Sequence, residues 1–176
     1  MPFKPIERLI DEEKIQKRVA ELGQVISRDY AGKEPVMVGV LKGCLVFMSD
    51  LIRHINLPLE VEFISAASYR KGVHPDKNIE IADAMTIELS GRDILVVEGI
   101  VETGRTVSRI VQRIRDLEPA SVEIVTLLDK PSAHRPGIEL KYKGFKLGNE
   151  FVVGYGLDNT QKFRNLPYIG RVSENP

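Results

Sequence analysis

The chain carries no excess charge of either sign: Lys plus Arg total 25 and Asp plus Glu total 25 in 176 residues. That balance removes the electrostatic drive by which strongly basic proteins hold nucleic acid or an anionic membrane, so neither is an expected partner. Cysteine is nearly absent. Cys44 stands alone, so no intramolecular disulfide can form; the expected setting is the reducing cytoplasm, with Cys44 a small apolar residue on a buried helix. Long apolar runs are also missing, because the richest stretch, Val36 to Ile52, is broken by Lys42 and Asp50 and does not read as a membrane span. The opening residues, Met-Pro-Phe-Lys-Pro-Ile-Glu, lack the apolar centre of a secretion signal. No phosphate loop with a Gly-Lys-Ser/Thr ending occurs, and Gly154-Tyr-Gly156 is not followed by the third glycine of a dinucleotide fingerprint. ATPase and dehydrogenase readings weaken accordingly. There is no internal repeat and no low-complexity segment.

What is present is an alternation of strand and helix signals. Ile15, Val19, Leu22 and Ile26 recur at helical spacing and predict a helix over 11–30. Val36 to Leu41 reads as a buried strand followed by a helix from Cys44 to Ile55, and Leu59 to Ser68 as a second strand with Glu60 and Glu62 set against Val61 and Phe63. Arg70 to Ala84 has no apolar face and reads as a long loop, which in a compact domain suits an active-site lid. A short strand is expected at Met85 to Leu89, then a strand from Asp93 to Ile100, a helix from Thr103 to Leu117 with Ile110, Val111 and Ile114 inward, and a strand from Val122 to Leu128. Short strands at Tyr142 to Leu147, Phe151 to Leu157 and Tyr168 to Val172 follow, with a helical turn near Gln161 to Asn165. The order predicts an α/β fold, a mainly parallel sheet flanked by helices. A single domain over 1–176 is expected, with a core of about 33–130 and a small cap from about 1–30 and 131–176.

The most informative segment is Asp93 to Thr106, an apolar run that ends in Glu98 and Glu102 and then in Thr103-Gly104-Arg105-Thr106. Strand ends of open α/β sheets are where ligands bind, and a helix N-terminus with free amides seats phosphate. Acids beside such a cradle suit a sugar phosphate, taking hydroxyls or Mg²⁺. Lys42-Gly43 ends the first buried strand and can hold a pyrophosphate by charge and backbone amides. In Phe151 to Asp158 followed by Lys162-Phe-Arg164, an aromatic can stack on a flat heterocycle, Asp158 can bind Mg²⁺ and Arg164 a phosphate. Lys130, at the end of the Val122 to Leu128 strand, can donate to an exocyclic oxygen.

Leu41-Lys-Gly43, Ser68-Tyr69 before the loop, Glu98 to Thr106, Leu128-Asp-Lys130 and Phe151 to Arg164 occur in an order and spacing that resembles the hypoxanthine-guanine phosphoribosyltransferases, a type I phosphoribosyltransferase family, over roughly residues 36–170. The resemblance implies that fold, with its cap or hood, and Mg²⁺-dependent transfer of 5-phosphoribose from phosphoribosyl pyrophosphate to a 6-oxopurine in purine salvage. It implies that Glu102, Thr103, Gly104, Arg105 and Thr106 hold the 5′-phosphate, and Lys42, Gly43 and Arg164 the pyrophosphate. Glu98 and Gly99 would face the ribose, Lys130 the purine O6, Phe151 the ring and the Val152 backbone the base edge. Glu98 and Asp158 would serve Mg²⁺, Ser68 and Tyr69 would close over the reaction, and Glu102, Lys130 and Arg164 are its catalytic candidates, Glu102 through proton exchange with purine N7. A cis peptide at Leu41-Lys42 and a homodimer or homotetramer are implied as well. The alternative is a regulator that binds the same ligands without turnover.

Two positions depart from that family. Most relatives have two adjacent acids where this chain has Glu98-Gly99, and an aspartate in place of Glu102. The expectation is a working but slowed transferase in which Gly99 loosens the turn for the longer acid, so that a Gly99→Asp, Glu102→Asp double variant binds substrate at least as well.

Overall fold

The computed structural model describes residues 6–65 and 87–172; Ser68, Tyr69 and the Arg70 to Ala84 loop lie outside the described residues. In chain order the elements are β1 (Ile6–Ile10), α1 (Glu12–Asp29), β2 (Val36–Leu41), α2 (Leu45–Ile52), β3 (Glu60–Ser65), β4 (Asp93–Val101), α3 (Arg105–Arg115), β5 (Ser121–Asp129), β6 (Tyr142–Lys146), β7 (Val152–Val153) and β8 (Ile169–Val172), with one 3₁₀ turn at Pro131–Ala133. Five strands form a wholly parallel sheet in the order β3-β2-β4-β5-β6, and β1-β8-β7 form a small antiparallel sheet.

The uninterrupted apolar runs of β2 and β4 follow from burial on both faces, as in sheets covered by helices on each side. Met37, Leu95, Val97, Val125 and Leu127 face α1 and α2, where Ile15, Val19, Leu22, Ile26, Phe47, Met48 and Leu51 complete one core. Val36, Val38, Val40, Ile94, Val96 and Ile124 face α3, whose Val107, Ile110, Val111 and Ile114 complete the other. Period two along the strands and period 3.6 along the helices thus meet in two layers. Glu12 and Glu13 in the first turn of α1 and Arg28 in its last complement the helix dipole.

Several expectations are corrected. α1 and β6, assigned from the sequence to the cap, belong with the large sheet: β6 pairs in parallel with β5, and Arg18 of α1 donates to the Gly144 and Lys143 carbonyls at 3.1 and 2.7 Å. The small sheet instead recruits β1, whose Ile-Glu-Arg-Leu-Ile lacks strict alternation because its pairing with β8 shifts register between Arg8 and Ile10. No helical turn forms at 161–165, since Thr160, Gln161 and Phe163 hold φ of 50, 67 and 76°, outside the right-handed helical region; Asn159 and Lys162 close a tight turn instead. The Phe151 to Leu157 strand is limited to β7. Residues 87–89 of the expected Met85 to Leu89 strand are irregular, and β3 is an edge strand that leaves Val61 37% exposed. Among the described residues no helix is long and apolar enough to cross a membrane.

Cys44 is fully buried just before α2, and burial, with Glu98 nearby, pushes its thiol up to about 12. The thiol is therefore expected to resist an aromatic disulfide reagent at pH 8 in native protein and to react at once in denaturant; stoichiometric labelling within seconds of mixing with native protein would contradict this placement.

Candidate functional site

Parallel register decides which residues meet. Gly39 lies opposite Val97, Val97 opposite Val125, and Val101 opposite Asp129, so Lys42, Glu102 and Lys130 all leave the sheet at its carboxyl edge. The Leu41-Lys42 peptide is cis, as the resemblance implies. Lys42 itself is exposed. Lys130 is not: its side chain is 6% exposed, its backbone N–H donates to the Val101 carbonyl at 3.0 Å, and its ammonium donates to Glu102 Oε1. A buried ammonium requires a partner, and here it is a carboxylate that remains 54% exposed. Beneath Lys130, Asp129 Oδ1 and His134 Nε2 lie 2.8 Å apart, both buried.

Glu98 and the continuous 100–107 segment line a cavity of about 180 Å³. Gly104, the N-cap of α3, has φ 73° and no side chain to cap the helix; the Arg105 N–H makes a long hydrogen bond to Thr103 Oγ1 at 3.4 Å, and Arg105, Thr106 and Val107 of the first turn line the cavity. Any Cβ at Gly104 would strike Ile138, while the Arg135 N–H donates to the Thr103 carbonyl at 3.2 Å. The segment after β5 thereby braces the cradle from outside.

The third part is the arm from Phe151 to Arg164. Phe151 is 54% exposed, unusual for a large aromatic, whereas Val152 is buried in β7. Arg164 donates to the Gly156 carbonyl at 2.8 Å and pairs with Asp158 Oδ1 at 2.7 Å; Asp158 Oδ2 accepts the Gln161 N–H at 2.7 Å. Lys162 and Phe163 of this turn also have partners.

No group of three or more His, Cys, Asp or Glu side chains converges as a metal cage among the described residues. Glu98 and Asp158, hard oxygen donors on separate elements, fit a Mg²⁺ that arrives on a diphosphate, because Mg²⁺ binds through one or two carboxylates plus substrate oxygens rather than a closed protein site. Removal from water pushes the Glu98 carboxyl up to about 8, against a smaller opposing contribution from the Gly99 N–H.

Gly99 is not a loose turn residue. A Cβ there would come within 2.6 Å of the Gly43 carbonyl oxygen, so an aspartate at 99 displaces the Lys42-Gly43 loop and the double variant expected to bind well is instead a disruptive one. Tyr155 and Asp50 carry no motif that marks them in the sequence, and their hydrogen bond emerges only when the arm folds onto α2.

The phosphoribosyl transferase domain matches residues 5–160. The chain is 44% identical over 162 residues to the hypoxanthine-guanine phosphoribosyltransferase of Bacillus subtilis, covering 92% of this chain and 90% of that protein. It is 41% identical over 169 residues to the hypoxanthine phosphoribosyltransferase of Salmonella typhimurium, covering 95% of each. It is also 44% identical to the bifunctional protein TilS/HprT of Listeria innocua, but spans only 25% of that protein's length while 92% of this chain is covered. A crystal structure of a hypoxanthine phosphoribosyltransferase from Staphylococcus aureus superposes with a TM-score of 0.89 at 44% identity, over 95% of this chain and 91% of that one.

The Glu98 shift has a definite sign in pH. A carboxyl whose folded pKa of about 8 exceeds its ordinary 4.5 leaves stability intact below 4.5 and lowers it progressively as pH rises to 8. Glu98→Gln is therefore expected to gain on the parent progressively as pH rises from 4.5 to 8, read as a Tm difference of several degrees that opens over that range. Melting curves whose Tm difference stays constant from pH 5 to 8.5 would count against a buried carboxyl here.

Proposed function

Because the chain belongs to the phosphoribosyl transferase domain family, we propose that it transfers 5-phosphoribose from phosphoribosyl pyrophosphate to N9 of a 6-oxopurine, hypoxanthine or guanine, giving IMP or GMP and pyrophosphate. The observation that carries this reading is the Glu102–Lys130 pair beside the cavity lined by Glu98 and residues 100–107. A cation able to donate to a purine O6 stands next to an acid able to exchange a proton at N7, and that acid lines the cavity read as the seat for the 5′-phosphate.

In this reading Thr103 to Thr106 hold the phosphate through amides and hydroxyls, as helix N-termini hold anions. The purine stacks on Phe151 while the Val152 backbone reads its edge. Lys130 turns part of its hydrogen bonding from Glu102 to O6, which polarises the base, and Glu102 is then free to take the N7 proton. As the C1′–N9 bond forms, the C1′–oxygen bond to pyrophosphate breaks. Positive charge builds on the ribose and negative charge on the leaving group; Glu98 tolerates the first, Lys42, the Gly43 amide and Arg164 the second. Glu98 and Asp158 are the residues that would hold Mg²⁺, which when bound would supply further neutralisation of the leaving group. Arg164 must exchange Asp158 for phosphate oxygens, a swap between charged partners rather than the exposure of a bare charge. A homodimer or homotetramer in the cytoplasm completes the proposal.

The test is incubation of pure protein with Mg²⁺, phosphoribosyl pyrophosphate and each of hypoxanthine, guanine and xanthine, followed by ultraviolet absorbance. Nucleotide formation is expected with hypoxanthine or guanine; tight binding without product would replace the transferase by a regulator on the same fold. Lys130→Met is expected to lower kcat/KM for the base about 10- to 100-fold, the size of one charge-assisted hydrogen bond, and an unchanged value would remove Lys130 from the base site.

A further inference from the structure

The Gly43 carbonyl oxygen lies where three pieces of chain press together. A Cβ on Gly99 of β4 would come within 2.6 Å of it, and a Cβ on Gly156, in the turn after β7, would also come within 2.6 Å. The same two carbons would meet the side chains that frame this junction, Leu157 Cδ2 at 3.2 Å from position 99 and Val46 Cβ at 3.6 Å from position 156. No methyl group fits on either side, so the Lys42-Gly43 backbone is seated directly against two other backbones. At Gly156 the backbone adds a second requirement, since φ is 95° and only glycine adopts that without strain.

The arm side of this junction is itself tied down. Tyr155, between the two arm glycines, is 3% exposed at φ 47°, a conformation unfavourable for an aromatic residue. Its N–H donates to the Leu166 carbonyl at 2.8 Å, and its hydroxyl donates to Asp50 Oδ2 on α2, the helix that begins two residues after Gly43. Gln16 of α1 donates to the same Asp50 oxygen at 2.9 Å, and Arg53 pairs with the other. Arg164 donates to the Gly156 carbonyl at 2.8 Å. The turn that touches Gly43 therefore also carries the second cation of the site, and Tyr155 fastens that turn to the helix behind Lys42.

We propose that Gly99, Tyr155 and Gly156 are positioning residues for the diphosphate: acting through Gly43, they lock the Lys42-Gly43 loop to the arm and hold Lys42 and Arg164 at a fixed separation. The proposal rests on the transferase reading and deepens it. It assigns to Gly99 the work of close packing, and it makes the pyrophosphate end of the site depend on the Tyr155 hydroxyl, which is bonded to Asp50 of α2.

Two variants test it. Tyr155→Phe removes only the hydroxyl that reaches Asp50, and Gly99→Ala forces the Gly43 carbonyl aside. Each is expected to raise KM for phosphoribosyl pyrophosphate about 5- to 20-fold, in the range of a sub-ångström to ångström misplacement. KM for the base should stay within about two-fold while kcat per folded site falls as leaving-group stabilisation is lost, and the Kd of magnesium pyrophosphate, by calorimetry, should rise in step. A merely structural role would lower Tm and leave KM and Kd in place. Folded variants with unchanged pyrophosphate affinity, or with KM for base raised equally, overturn the proposal; if Gly99→Ala does not fold, Tyr155→Phe decides alone. A parent protein that binds magnesium pyrophosphate without turnover removes the transferase reading while the Kd series still decides positioning, and a parent that fails to bind it removes both.

Discussion

All five strands of the large sheet run the same way, and that constraint creates the site. A parallel strand must be left at its carboxyl end and re-entered from the opposite edge, so Lys42, Glu102 and Lys130, far apart in sequence, arrive at one rim without any of them being selected for proximity. The two cores behind that rim fix the strands from both faces. The rim can therefore hold groups that a softer scaffold would let drift. A buried ammonium at Lys130 is the clearest case, because it is tolerable only if Glu102 stays within reach.

Charge is distributed at the rim in ready-made pairs. Lys130 waits on Glu102 and Arg164 on Asp158, each cation satisfied by an acid from its own side of the cleft. Replacement of a carboxylate by an incoming carbonyl or phosphate costs far less than desolvating a free ammonium or guanidinium. The released acid becomes available for a proton or a cation in the same event. Glu98 differs in kind: its carboxyl is removed from water with no ion-pair partner among the described residues and is pushed up to about 8, so it changes charge most readily when a cation is brought to it.

How much of this could be read from the residues depended on how local the cause was. α1 and α3 announced themselves through spacing, and β2, β4 and β5 through apolar runs, because burial imprints those periods directly. Lys42, Glu102 and Lys130 share a rim as the family resemblance implied, since register carried them there. Misreadings arose where tertiary packing overrides local pattern. β6 looked like part of a cap because no helix precedes it, yet a 3₁₀ turn and Arg18 suffice to bring it into the large sheet. β1 exists only through a bulged pairing with β8, and the 159–165 turns depend on positive φ at residues that carry no glycine signature.

Gly99 shows why a single position can mislead when read alone. Beside the two adjacent acids that the family resemblance implies, it looks like a subtraction, one ligand fewer for ribose or Mg²⁺ and a turn made slack. In the fold it is the point at which β4 meets the Gly43 carbonyl, with Gly156 closing the other side. The side chain is absent because the space is taken by backbone. A Cβ at 99 and the Lys42-Gly43 loop at its present depth compete for one space, so a side chain here requires the Gly43 carbonyl to move. With Glu98 the one carboxylate at the carboxyl end of β4, the proposed reaction would rest recognition of the leaving group on Lys42, Arg164 and backbone amides. Those depend on placement far more than a flexible acid does, which is why the buried Tyr155–Asp50 hydrogen bond, remote from any reacting atom, carries weight in the architecture.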